Sequence, residues 1–386
     1  CDALAQLNLP QEPSTLRMLR NAELKTFYTT RGASRYYFEP RDEQGDYVPF
    51  VTPPFFISLD QLAGGGKVIA ETPECRVIDL GDDVACVEFR TKANVLTPSL
   101  MEFVAEFLEK AERNHVGVVI GNQGRMFSAG FNLNLFLEYI AKQDWQGMER
   151  GLQLLQGLSQ RIRYCGVPVV AAVHGYALGG GLEVVLPCVH VHAHVDAGLG
   201  LPEAAVGLMP AGGGTTLMTR RALQNLPPEA DPVPHLRQPF LTLAYGKRGN
   251  NAFDAYQLGF LRERDMLCWN LDRLLYEAKQ HVLALSRAGY RPPEPTPILA
   301  VGVNGYSRLM MEVHWMHQAG QLTDHDRLIA EKIAYVMTGG DLREAMPMPE
   351  EHFHALERQV FIELCQTGQS VARIRRMLET GKPLSN

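Results

Sequence analysis

Regular patterning of apolar and polar positions begins near Arg76. Residues 77–80 and 84–89 are short apolar or alternating runs parted by Gly81-Asp82-Asp83, which predicts a hairpin. Thr97 followed by Pro98 places a cap residue before a proline at the first helical position, and so predicts a helix start. Leu100, Phe103, Val104, Phe107 and Leu108 then recur along one face. Residues 116–120 read as a buried strand that delivers the chain to a loop over 124–130. A second amphipathic helix (Leu152, Leu155, Leu158, Ile162) precedes an apolar strand over 167–173. A long helix is predicted over 267–285, Pro292-Pro293-Glu294-Pro295 breaks the chain, and residues 300–386 read as all-helical. There, Thr323 and Asp326 have capping-box spacing, and Phe353, Leu356, Val360 and Leu364 form a stripe. Gly381 and Pro383 then stop the last helix. Alternating strands and helices predict α/β layering.

The first 66 residues do not share this pattern. Residues 13–31 predict a short helix carrying Leu16, Leu19, Leu24 and Phe27, followed by an aromatic, proline-punctuated segment. Gly64-Gly65-Gly66 reads as a hinge. With no Gly-Lys-Ser/Thr after it, it is not a phosphate-binding loop. Residues 222–250 carry Pro227, Pro228, Pro232, Pro234 and Pro239 and read as an insertion.

Chemistry concentrates between residues 170 and 216. An apolar strand feeds a turn and three glycines, Gly179, Gly180 and Gly181, with Glu183 two residues on and Glu203 twenty beyond that. The first turn of a helix leaves its amides unpaired, so a strand entering a glycine turn and then a helix offers N–H donors to whatever binds above. Such donors hold an oxyanion when they are aimed at the place where charge develops. Two carboxylates nearby supply proton transfer, and partial burial moves their pKa values apart. The arrangement points to a carbonyl or thioester substrate.

This stretch, together with Phe127-Ser128-Ala129-Gly130, resembles the two signature segments of the crotonase (enoyl-CoA hydratase/isomerase) superfamily, over residues 77–261. The resemblance implies an α/β fold with a ββα spiral core and an α-helical C-terminal region. It implies an oxyanion hole from the backbone N–H groups of Ala129 and Gly180. Glu183 would deprotonate the water that attacks C3, and Glu203 would exchange the proton at C2. Contacts to the CoA thioester are expected from Lys92, Ala93, Ser128, Gly130, Asn132, Gly179 and Pro202, with Lys92 facing the 3′-phosphate. The activity implied is hydration of trans-2-enoyl-CoA in fatty-acid β-oxidation. The alternatives are Δ3,Δ2-enoyl-CoA isomerisation by Glu203 alone, or a non-catalytic scaffold on the same fold.

The sequence departs from the family in two places. Phe131-Asn132 stands where Ala-Asp is common, and Pro187 should end the helix bearing Glu183 early. The segment FYTTRGASRYYFEP resembles the tail of 3-hydroxyacyl-CoA dehydrogenase halves that precede crotonase modules in fused proteins. The expected organisation is therefore a dehydrogenase-type tail and linker (1–66), a hydratase domain (67–299, with the 222–250 insertion) and a helical region (300–386). A chain of this kind would be the C-terminal portion of a longer protein, with a dehydrogenase domain and further copies of itself as the expected partners. The hydratase module needs no metal or redox cofactor. NAD would enter only with the dehydrogenase half, since no Gly-x-Gly-x-x-Gly turn is present here.

Composition narrows the field further. A net charge of −6 gives no basic footprint for nucleic acid, and no apolar run approaches the length of a membrane span. Seven scattered cysteines without a Cys-x-x-Cys pair read as reduced thiols of a cytoplasmic enzyme. His190, His192 and His194 alternate along a strand and read as structural. Arg373, Arg375 and Arg376 read as a solvated helix face.

Overall fold

The computed structural model describes residues 26–31, 34–39, 46–49, 53–227 and 229–386. Tyr28–Arg31 (β1), Ser34–Glu39 (β2) and Asp46–Pro49 (β3) pair antiparallel as a small sheet. The helix expected over 13–31 is therefore a strand at its end, where Tyr28 pairs with Tyr37; residues 13–25 of it lie outside the described residues. Aromatic and threonine side chains fit a pleated surface better than a helix.

The Gly64-Gly65-Gly66 run is not a hinge. It closes Leu59–Gly64 (α1): the amides of Gly65 and Gly66 donate to the carbonyls of Gln61 and Ala63 at 2.9 and 3.1 Å. The helix is pinned to the body by fully buried Leu59, whose amide donates to Gln123 Oε1 at 2.8 Å. From here the chain enters the main sheet through Val68–Glu71 (β4), Cys75–Asp79 (β5) and Val84–Phe89 (β6), the last two forming the predicted hairpin. Pro98–Asn114 (α2) starts as expected, with Thr97 Oγ1 accepting the Leu100 amide. Then follow Gly117–Gly121 (β7), Leu133–Lys142 (α3), Trp145–Arg163 (α4) and Val169–Val173 (β8).

Tyr176–Leu178 (β9), Gly180–Val185 (α5), His190–His194 (β10) and Gly198–Gly200 (β11) come next, with α5 ending before Pro187 as expected. Gly214–Leu223 (α6) leads into the proline-rich stretch. That stretch contains a packed helix, Val233–Ala244 (α7), whose Leu236, Phe240 and Leu243 are buried. Ala252–Gln257 (α8) is followed by Met266–Cys268 (β12) and Leu274–Arg287 (α9), so the single helix expected over 267–285 is a strand, a turn and a helix. The C-terminal region holds Ile298–Ala300 (β13), Gly302–Gln318 (α10), Asp324–Thr338 (α11), Met346–Met348 (β14), Glu350–Cys365 (α12) and Gly368–Thr380 (α13). It is thus helical apart from the β13–β14 ribbon. The Thr323–Asp326 capping box forms as predicted.

Among the described residues, seven strands make one sheet in the order β12-β10-β8-β7-β6-β5-β4, parallel from β12 to β6 and antiparallel beyond. Strand alternation divides its side chains between two cores. Val77, Val87, Ile120 and Ala171 join the large core under α2 and α4, while Ile78, Cys86, Val119 and Val170 pack under α9. A second layer, β9 paired parallel with β11, stands beside the main sheet. His190 and His192 face α9, where His192 Nε2 lies 2.9 Å from His281 Nδ1. Arg373 is not solvated: it is buried, and its guanidinium donates to Asp326 at 2.6 Å and to the Ala204 carbonyl at 3.1 Å.

Candidate active site

The Phe127–Gly130 loop is held as an extra strand against β9. The Ser128 amide donates to the Tyr176 carbonyl and the Leu178 amide to the Ser128 carbonyl, each at 3.0 Å. This pairing brings Gly130 against the start of α5. A Cβ at Gly130 would sit 2.6 Å from the Leu178 carbonyl oxygen and 3.2 Å from the Gly180 nitrogen. Gly130 also has a φ of 94°, so glycine is required here on both counts.

One expected donor is not available. The Ala129 amide donates to the Ala93 carbonyl at 3.0 Å, from a turn in which Ala93 takes a φ of 56°. Two residues on, the Phe131 amide has no protein acceptor among the described residues, and neither does that of Gly180. A Cβ at Gly180 would lie 3.4 Å from the Phe131 nitrogen, so these two free amides are neighbours. The two unoccupied amides at this point are therefore those of Phe131 and Gly180, whereas the Ala129 amide expected beside Gly180 is already spent on Ala93. The sequence signal is Phe131 itself, which stands where Ala is common.

Both amides border a cavity of about 480 Å³ whose walls include Phe131, Phe136, Leu155, Met209 and Phe361. Glu183 and Glu203 line it too. Glu183 is 3% exposed, and its Oε1 accepts the Gly212 and Gly214 amides at 2.7 and 2.8 Å. Burial pushes its carboxyl up to about 7, against the pull of those two amides. Glu203 begins a short 3-10 turn, and its Oε2 is buried without a hydrogen-bond partner. Burial raises its carboxyl well above the ordinary range, and the neighbouring Glu183 raises it further. An acid left without a partner inside a cavity is suited to meeting a ligand.

Of the other sequence-predicted residues, Gly130, Gly179 and Pro202 line the cavity with Ala129, while Lys92, Ala93, Ser128 and Asn132 do not. Ser128 is fully buried and already occupied, donating to the Asn94 carbonyl at 2.6 Å and accepting the Gly130 amide at 3.1 Å. Asn132 caps α3 by accepting the Asn134 amide. Lys92 is exposed beside the turn. Ser128 and Asn132 thus shape the loop through its own hydrogen bonds.

A third acid was missed. Glu357 of α12 is fully buried and accepts the amides of Gly213 and Thr216 at 3.0 and 2.7 Å. Burial and the Glu183 charge push it up to about 8. The signal available in the sequence was an acid on the apolar face of α12, four residues after Phe353.

Comparisons with known proteins relate part of this chain to a known family. A family profile described as enoyl-CoA hydratase/isomerase matches residues 81–226. A Bacillus subtilis protein named "Probable 3-hydroxyacyl-CoA dehydrogenase" is 34% identical over 97% of this chain and 46% of its own length. A "Probable enoyl-CoA hydratase" from the same organism is 37% identical over 33% of this chain and 49% of its own. The chain therefore spans about half the length of these relatives. An enoyl-CoA hydratase structure from Bacillus halodurans superposes with a TM-score of 0.53 at 17% identity, covering 78% of this chain and 99% of that one, a likeness of fold. Residues 81–226 thus carry the profile of the enoyl-CoA hydratase/isomerase family, the crotonases.

Proposed function

We propose that the cavity takes a 2-enoyl-CoA thioester and adds water across its C2=C3 bond, as a step of fatty-acid β-oxidation. The observation that supports this most is that two free amides and two carboxylates border one cavity. The thioester oxygen would accept from the Phe131 and Gly180 amides. Glu183, raised to about 7, stands near the pKa that suits a base at neutral pH. It takes a proton from water as the oxygen bonds C3. The π electrons move toward the carbonyl, where charge collects on the oxygen held by the amides. Glu203, kept protonated by burial, delivers a proton to C2, and the proton on Glu183 restores Glu203 before the next cycle.

Water and thioester balance this reaction, so the proposal assigns no metal or redox cofactor to this module. NAD belongs to a 3-hydroxyacyl-CoA dehydrogenase domain, the partner suggested by the name of the Bacillus subtilis relative. Further copies of the chain are possible partners in the same proposal. Among the described residues, six buried, unpaired cysteines support a reducing, cytoplasmic setting.

Isomerisation of 3-enoyl-CoA is the second reading. It is favoured by one observation: the Glu203 Oε2 has no partner, as a single proton shuttle requires, while Glu183 is tied by two amides. Turnover of 2-enoyl-CoA and 3-enoyl-CoA by Glu183→Gln separates the two. Loss of hydration supports the hydratase, whereas retention of isomerisation with no hydration in the parent supports the isomerase.

A further inference from the structure

The residues between α5 and α6 make an unusual alternation. Gly212 and Gly214 turn their amides to Glu183 Oε1, while the amide between them, that of Gly213, turns to Glu357 Oε2 at 3.0 Å. Thr216 extends the pattern, giving both its amide (2.7 Å) and its hydroxyl (2.8 Å) to Glu357 Oε1. Gln156 Nε2 of α4 completes the Glu357 shell at 3.0 Å. All four donors reach a carboxylate that is wholly removed from solvent, and none of them is a cation. The turn is closely packed and has no room for side chains here: a Cβ at Gly212 would come within 2.3 Å of Leu155, and one at Gly214 within 2.7 Å of Glu183 Oε1. Gly213 has a φ of 103°, which fixes the twist that sends neighbouring amides to opposite sides. A peptide rotation that freed Glu357 would therefore carry the flanking amides away from Glu183.

We infer that Glu357 is a positioning residue for the proposed reaction: from the C-terminal helical region it clamps the Gly212–Gly214 turn, and the turn in turn aims the Glu183 carboxylate into the cavity. This rests on the hydratase reading for its consequence but not for its geometry. Glu357 would thus serve the active site without touching substrate, since it does not itself line the cavity. Glu357→Gln keeps the size of the side chain but sets an NH2 group against one of the amides it now accepts, so the turn must move.

The test uses the full chain labelled with 15N-glycine, as the parent and as Glu357→Gln and Thr216→Val. Hydrogen exchange at Gly212 and Gly214, which Glu357 does not touch, should quicken at least about tenfold in Glu357→Gln while glycines of the main sheet keep their protection. Thr216→Val, which removes one donor of four, should quicken the same two amides less. In steady-state hydration of 2-enoyl-CoA, Glu357→Gln should lower kcat roughly 10- to 100-fold, the scale of a misplaced catalytic group, with KM changed by less than about threefold. Unchanged exchange at Gly212 and Gly214 in both variants overturns the clamp. So does a kcat within about twofold of the parent in a folded Glu357→Gln. Should the parent itself fail to hydrate 2-enoyl-CoA, the proposed function falls, while the exchange measurement still decides the clamp.

Discussion

The cavity has two walls of different origin. One is built by loops of the matched domain, the 127–131 and 179–183 segments, in which donors and acids stand a few residues apart. The other is built by helices from the C-terminal region, with Phe361 on α12 and Met377 on α13, more than 130 residues after the match ends. Both walls meet at the Gly212–Gly214 turn, where Glu183 and Glu357 divide the amides between them. The first wall holds the free amides and the acids of the proposed reaction, and in our proposal the second fixes their aim. Chemistry can thus be local in sequence while its geometry depends on a distant element.

The contrast breaks most visibly at the acids. Replacing Glu183 or Glu203 by Gln should cost about 10²- to 10⁴-fold in kcat for hydration, the usual worth of a general acid or base. Equal activity in both variants would remove the loop wall's chemical role. Next in size is Gly180→Pro, which deletes one free amide while leaving a residue suited to the first turn of α5. A fall of about 10²- to 10³-fold is expected, as for loss of one oxyanion donor. The matching change at Ala129 has no such meaning, since that amide is spent on Ala93.

The helix wall should show itself in stability. Arg373→Ala leaves Asp326 and the Ala204 carbonyl without their buried donor. It should cost about 3 kcal/mol in denaturant unfolding, the low end for breaking a buried pair. Its effect on the intact site should be smaller than that of either acid. The two walls also predict a shared pH signature. Glu183 and Glu357 have folded values of about 7 and 8, above the ordinary 4.5, so the folded state binds more protons than the unfolded chain. Their contribution to stability is present below the ordinary value and is lost as pH rises through the folded values. His190 and His192, lowered to about 4, act in the opposite sense but only below their ordinary 6.5. Between about pH 7 and pH 8 the melting temperature should therefore fall as pH rises, and Glu357→Gln should flatten that fall. The smallest effect is expected at Lys92, exposed and outside the cavity. Lys92→Ala should raise KM by less than about fivefold, as exposed ion contacts contribute little.

These differences track what was legible in the sequence. The hairpin and the Thr97-Pro98 helix start could be read because each depends on neighbours within a turn or two. The free amide lies two residues beyond the expected one, at Phe131 and not Ala129, because the carbonyl that occupies Ala129 comes from Ala93 in a separate turn. Glu357 was invisible for the same reason on a larger scale: its partners lie 141 and 144 residues away. Arg373 reads as a surface arginine until α11 supplies Asp326. The Gly64–Gly66 run has linker composition, yet buried Leu59 just before it turns those glycines into a helix end. Local patterning marks elements and reactive groups, and long-range packing decides which hydrogen-bonding capacity remains free.

The central claim is that one water is activated and added between Glu183 and Glu203. Mass spectrometry of the product formed from 2-enoyl-CoA in 18O-labelled water tests it most directly. The account predicts one solvent oxygen at C3 of a 3-hydroxyacyl-CoA from the parent, and loss of that product in both Glu183→Gln and Glu203→Gln. Continued labelling by either variant at the parent's rate, or no solvent oxygen in any product of the parent, would contradict it.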